Sequence, residues 1–251
     1  MLLPSLKIDR FNTDIKEAVN EWCDDPVAAE AKYGHISKWN TSNVTNMEHL
    51  FDKQESFNDD ISRWDVSNVT NMSSMFCFAF SFNGDLSDWN VSNVTNMCNM
   101  FGGSSFNSDI SGWNVSNVTD MSNTFCGAMD FNCNLNSWDV SNVTTMEGMF
   151  WEALAFNGDI SAWNVSNVTN TSRMFWGQEN DIEFNQDISR WDVSKVTDMT
   201  CMFMGAAKFK QDLSGWNVSN VTDMRFGRMF LGTQMPENFM PLGTITQAGS
   251  Y

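Results

Sequence analysis

The chain has 251 residues, 42% of them hydrophobic, and a formal charge of −17 from 31 acidic and 14 basic side chains. That charge favours solubility, basic partners and divalent cations, and it opposes binding to nucleic acid or anionic lipid. No apolar run approaches the roughly 20 residues of a spanning helix, which excludes membrane insertion.

Along the chain, the opening Met1-Leu2-Leu3-Pro4 is followed by Lys7, Asp9 and Arg10, too early for a secretory signal. The compartment is left open: an intracellular protein, or one whose signal lies outside this chain. Ile15, Val19 and Trp22 then fall at i, i+4 and i+7, and Asp25-Pro26 opens a second helical stretch that runs through Tyr33 to Gly34. Residues 1–34 are therefore expected to form an N-terminal helical cap.

From residue 35 to 231 the chain repeats. The stretch Trp64-Asp65-Val66-Ser67-Asn68-Val69-Thr70-Asn71-Met72 returns at 89–97, 113–121, 138–146 and 216–224, with weaker copies from Trp39, Trp163 and Trp191. The Val-Thr pairs from Val44 to Val221 are spaced 25, 25, 24, 25, 25, 28 and 25 residues apart, the period of a solenoid of about eight coils. Six of the eight copies run on to a Met-Phe pair such as Met75-Phe76, followed in the copies before the last by Phe82-Asn83-Gly84-Asp85-Leu86-Ser87 or its equivalent.

The spacing of Ile61, Trp64, Val66 and Val69 predicts a short strand around each Trp-Asx-Val, stacked coil on coil into a parallel sheet. Val69, Met72, Met75 and Phe76 fall at helical intervals, with Ser67 or Asn68 as N-cap, which predicts a return leg of short helices or 3-10 turns. The expected fold is thus an α/β repeat solenoid with a leucine-rich-repeat-like parallel sheet on one face and short helices on the other. The inward phase of the eight repeat tryptophans makes them core rather than a ligand platform. The long interval between Val168 and Val196 predicts a surface bulge around residues 178–183, and residues 232–251 should form a C-terminal cap or tail.

Several polar rows recur once per coil. Asp60, Asp85, Asp109, Asp159, Asp187 and Asp212 precede the expected strand; turn capping is the preferred role, with cation binding as the weaker alternative. Asn-Val-Thr triplets open at Asn68, Asn93, Asn117, Asn142, Asn167 and Asn220, where Asn and Ser ladders between coils explain the regularity more economically than glycosylation. Lys38, Arg63, Asp88, Gly112, Ser137, Ala162, Arg190 and Gly215 vary while their neighbours do not. Binding on the expected sheet face would fall to Lys38, Arg63, Asp65, Asp88, Asn90, Arg190 and Asp192. The six cysteines follow no regular place in the repeat and are read as mostly free thiols. With two histidines and no catalytic set or phosphate loop, neither a cofactor nor an enzymatic activity is expected.

The run Phe156-Asn157-Gly158-Asp159-Ile160-Ser161-Ala162-Trp163-Asn164-Val165-Ser166-Asn167-Val168-Thr169 resembles the BspA-like leucine-rich repeat family of bacteria and unicellular eukaryotes, across roughly residues 34–230. Residues 22–33 resemble the N-terminal element of its algal-type members. The resemblance implies a leucine-rich-repeat solenoid, often on surface proteins and in some members linked to adhesion or to host matrix proteins, with no shared catalytic residues. The expected function is a non-catalytic binding scaffold whose partner is another protein or a surface glycoconjugate. Self-association through cation-assisted, end-to-end assembly is the alternative, and a glycan- or ice-binding face comes after it.

Overall fold

A computed structural model describes residues 12–178, 182–222 and 229–241. Two α-helices lead. α1 (Asn12–Asp24) buries Ile15, Ala18, Val19 and Trp22. In α2 (Pro26–Tyr33), the Asp25 carboxylate accepts from Ala28 N–H at 3.1 Å, Pro26 occupies the first turn and Gly34 ends the helix at φ +74°. The side chain of Lys32 donates to Glu21 at 2.7 Å and ties the two helices together. Trp22 meets Trp39 edge to face at 5.9 Å, and Trp39 stacks on Trp64 at 6.2 Å, so the helices and the first coils share one core.

Beyond the helices the chain winds into stacked coils, and here the expected architecture is corrected. Among the described residues there is no β-strand and hence no parallel sheet; one isolated parallel bridge per coil links Asn46, Asn71, Asn96, Asp120, Thr145, Asn170 and Asp198 in series. Nor do the return legs between residues 44 and 204 form helices: α1 and α2 both precede them, and the 3-10 turns among the described residues lie at Ile36–Lys38 and Glu237–Phe239. The α/β solenoid of leucine-rich-repeat type is therefore not what this chain forms.

The reason lies in the turn chemistry. In the Trp64 coil, Trp64 N–H donates to Ile61 C=O and Val69 N–H to Val66 C=O, so two tight turns break the segment that would have been a strand. Asp60 accepts from Ser62 N–H at 3.0 Å, Asp65 from Ser67 N–H at 3.0 Å and Asn71 from Ser73 N–H at 3.0 Å. These are Asx turns, in which a short polar side chain substitutes for a backbone acceptor two residues away. Three in one coil leave no run of residues long enough to make a sheet.

The return leg is a pair of type II turns. Met75 N–H donates to Met72 C=O with Ser74 at φ +53°, and Ala79 N–H donates to Phe76 C=O with Phe78 at φ +56°. The alternate amides point along the stack: Met72, Ser74, Phe76 and Phe78 donate to Asn96, Cys98, Met100 and Gly102 of the next coil at 2.7–3.0 Å. Turns closing every three to four residues place Val69, Met72, Met75 and Phe76 inward at the same intervals as one face of a helix, which explains why spacing alone reads as helical.

The core is a set of aromatic columns. Phe51, Phe76, Phe101, Phe125, Phe150, Phe175, Phe203 and Phe230 stack face to face with centroids 5.4–5.7 Å apart, and a second column runs alongside through Phe57, Phe82, Phe106, Phe131, Phe156, Phe184 and Phe209. The repeat tryptophans are 3–6% exposed and complete the interior. From Trp64 onward each indole also bonds the coil before it: Trp113 Nε1 donates to Leu86 C=O at 2.9 Å and Trp163 Nε1 to Leu135 C=O at 2.8 Å. This satisfies the one polar atom that burying Trp would otherwise leave unpaired. At the far end, Leu213 N–H donates to Phe239 C=O and Met235 is buried; the rest of the expected C-terminal cap from 242 onward lies outside the described residues, as do 179–181 of the bulge and the chain opening at 1–11.

Candidate binding surface

The stack has two chemically different sides. On the Asx side, the repeated polar residues are engaged in holding the backbone. Asp60, Asp85, Asp109, Asp159, Asp187 and Asp212 each accept from the serine N–H two residues on at 2.9–3.0 Å. Hydrogen bonds from the serine hydroxyl and from the same N–H hold the carboxyls of Asp60, Asp85, Asp109, Asp187 and Asp212 below the usual aspartate value. Asn134 caps the same turn in its coil at 2.9 Å without a charge. Among the described residues, no cluster of three or more His, Cys, Asp or Glu side chains is arranged to hold a metal ion.

The Asn-Val-Thr asparagines bond between coils. Asn68, Asn93, Asn117, Asn142, Asn167 and Asn220 donate Nδ2–H to serine carbonyls of the preceding coil at 2.7–2.8 Å. A further asparagine ladder runs in the other sense: the side-chain oxygens of Asn58, Asn83, Asn107, Asn132, Asn157 and Asn185 accept from the backbone of the following coil at 2.8–3.0 Å.

The seven residues singled out as a binding row are all exposed, but they divide by role. Asp65, Asn90 and Asp192 build turns, accepting from Ser67, Ser92 and Ser194. Lys38, Arg63, Asp88 and Arg190 project from successive or distant coils, with Arg63 and Arg190 five coils apart, so the structure brings them onto one side and not into one cluster.

On the type II side, backbone bonds carry the stacking and the outward side chains change from coil to coil. In seven coils the second left-handed position holds Lys53, Phe78, Gly103, Gly127, Glu152, Gly205 or Gly232. One residue earlier come Asp52, Cys77, Gly102, Cys126, Trp151, Met204 and Leu231, and Trp176 holds the equivalent place in the coil between Trp151 and Met204. Trp151 and Trp176 stack at 4.9 Å, and among the described residues neither buried indole N–H has a hydrogen-bond partner. Phe78, Phe80 and Met129 are 45%, 48% and 57% exposed. Sequence reasoning passed over these three. The available signal was the departure of Phe78 from the glycine that Gly103, Gly127 and Gly205 supply at the same place in other coils.

Burial of the thiols pushes Cys77 up to about 11 and Cys23 and Cys126 up to about 12, so all three are protonated at neutral pH, and the six cysteines are free. A shallow cleft of about 110 Å³ between the helices and the first coils is lined by Trp22, Cys23, Pro26, Ser56, Phe57 and Asp59, and is closed at one side by Trp22 Nε1 donating to Asp59 at 2.8 Å.

The coil register agrees with a comparison of sequences. One family model, described as "Mycoplasma protein of unknown function, DUF285", matches residues 13–115, 85–182 and 178–239, most of the chain. The chain belongs to the DUF285 family. The three successive matches follow the tandem coils, and membership in DUF285 brings the repeat without a function attached to it. No curated protein matches this DUF285 chain, and no solved structure matches it either. None of the helices among the described residues is long and apolar enough to cross a membrane.

Proposed function

We propose that this chain is a non-catalytic binding scaffold that engages another protein, or a surface glycoconjugate, through the exposed side-chain columns of its coil stack. The observation that carries this reading is the division of labour between repeated and unrepeated residues. Repeated Asp, Asn, Ser and Trp side chains are used in turns and between coils, as with Asp85, Asn117 and Trp113. What remains outward and varied is a rigid surface several coils long. Convergent polar groups in a deep pocket, the usual setting for catalysis, are not what this repeat builds. The resemblance to BspA-like surface proteins supports the same reading and makes adhesion the proposed context.

The test is an array of purified matrix proteins and glycans probed with the intact chain, preceded by sedimentation over a range of concentrations with calcium or with chelator. A monomer that binds a defined array component with saturable affinity supports the scaffold reading. Growth into larger species with concentration or calcium would instead favour the self-assembling alternative, and a monomer that binds nothing on the array would sink adhesion to these classes.

A further inference from the structure

The type II side contains one place where the repeat gives up both backbone comfort and water-compatible chemistry. Phe78 stands at a left-handed position, φ +56°, which glycine adopts at no steric cost and a bulky aromatic residue rarely does. Its ring is 45% exposed, so the strain is not offset by full burial. Phe80, 48% exposed, meets it edge to face at 6.1 Å. The left-handed turn itself recurs down the stack, at Lys53 and Glu152 among others, so what sets this coil apart is the exposed aromatic residue placed there.

The surroundings form a shape. The Phe78 ring leans over Gly103 of the next coil, where a Cβ would lie 2.6 Å from Phe78 Cδ1. In the coil after that, Gly127 lies against the Gly103 backbone and adds no side chain, so a step runs from the Phe78 ring down to a glycine floor. Met129, two coils from Phe80 and 57% exposed, flanks that floor, and Glu152 and Trp151 rise beyond it. The rim is acidic: Glu55, whose C=O accepts from Ser81 N–H, and Asp130, next to Met129, are both exposed, while the Glu152 carboxylate accepts from Gln178 N–H at 2.8 Å, Asp52 is paired with His49 at 3.1 Å and Lys53 is the nearby lysine. An exposed apolar patch with a polar rim marks an interaction site, and the sign of this rim selects a cationic partner.

We propose that Phe78, Phe80 and Met129, around the Gly103 and Gly127 floor, are a docking site for a basic peptide segment of another protein that carries apolar side chains. The proposal rests on the scaffold reading above and names its partner chemistry. The two aromatics and Met129 receive the apolar side chains, and Glu55 and Asp130 receive the lysines or arginines. The apolar residues and their glycine floor span three successive coils and Glu55 lies one coil before them, a span that a short extended segment covers.

The test uses the intact chain and three fluorescent peptides of about ten residues, roughly 33 Å extended. One alternates lysine with leucine, one lysine with serine and one glutamate with leucine. The variants are Phe78→Gly with Phe80→Ser, which writes into this coil the glycine and serine that Gly103 and Ser105 supply in the next, and separately Met129→Ser. Neither changes the charge, and the double variant relieves the left-handed strain, so both should keep the wild-type melting temperature. The expected result is binding of the lysine-leucine peptide above both controls, weakened about tenfold or more by either variant. Equal binding of wild type and variants, or of the lysine-serine peptide, would reduce the site to general surface charge and overturn the proposal. A wild-type dimer abolished by Phe78→Gly would overturn it in favour of a second copy of this chain. An array component that binds wild type and variants alike would refute this site while leaving the scaffold reading standing.

Discussion

The two sides of the coil stack solve one problem, satisfying backbone groups every 25 residues, in opposite ways. On the Asx side the donors and acceptors are side chains: Asp85 caps its own turn, Asn117 reaches the coil before and Asn107 the coil after. On the type II side the backbone bonds to itself, as from Phe76 to Met100 and from Phe78 to Gly102. Residue identity is therefore tied to structure on the first side and released on the second. That is why Asp, Ser and Asn repeat where they do, while Asp52, Cys77, Gly102, Cys126, Trp151 and Trp176 follow one another down a single column. A repeat that is monotonous on one side keeps its chemical variety for the other.

The comparison can be broken most forcefully from the interior that both sides share. Phe101→Ala, in the middle of the main phenylalanine column, should cost about 3–5 kcal/mol in denaturant unfolding, because the neighbouring rings at 5.6 and 5.7 Å are held by their own coils and cannot close the cavity. A loss below 1 kcal/mol would show that the stack collapses around the gap. Trp151→Phe removes a buried indole N–H that bonds nothing among the described residues while keeping the stack on Trp176, so it should be neutral or stabilising by about 1 kcal/mol in the same assay. The same change at Trp113, whose N–H does bond Leu86, should destabilise by about 1–2 kcal/mol. Opposite signs at the two tryptophans are the sharpest expression of the contrast.

Asn117→Ala on the Asx side should cost about 1 kcal/mol through the lost bond to Ser92 C=O. Acid should act on this side too. Hydrogen bonds from the serines depress the pKa of Asp60, Asp85, Asp109, Asp139, Asp187, Asp192 and Asp212 in the folded chain. A depressed folded pKa contributes stability that is present above the unfolded aspartate value and is lost as pH falls through the folded one. The melting temperature should therefore hold at neutral pH and drop below the ordinary carboxylate range, near pH 4. Asp109→Asn, which copies the uncharged cap that Asn134 already makes, should keep the turn and flatten that drop. The smallest effect is expected at the variable exposed row, where Ala162→Ser should stay within about 0.5 kcal/mol of wild type.

Much of the repeat is legible in the amino-acid sequence. Trp, Val, Met and Phe at constant offsets mark its period and the inward phase of its side chains, and Asp60 and its equivalents announce turns. The turn signal outweighs the strand signal. Asx-x-Ser occurs three times in the Trp64 coil, at Asp60, Asp65 and Asn71, and that density is incompatible with a strand across residues 61–66. The helical return leg fails for another reason: inward residues three and four apart are shared by a helix and by consecutive type II turns, and only the left-handed backbone at Ser74 and Phe78 separates them. The candidate binding row rests on variation beside an expected sheet. The larger variation, at Cys77, Phe78 and Phe80, is hidden in the sequence because Cys and Phe in an apolar stretch read as core.

Sequence by itself determined the coil length, the aromatic interior and the turn-forming side chains, because each follows from local chemistry repeated at a constant interval. Tertiary structure decided where the backbone amides point and which apolar residues face water. Both depend on the sign of φ at two positions per coil, and that sign is held by hydrogen bonds to the neighbouring coils, whose partners lie about 25 residues away in the chain.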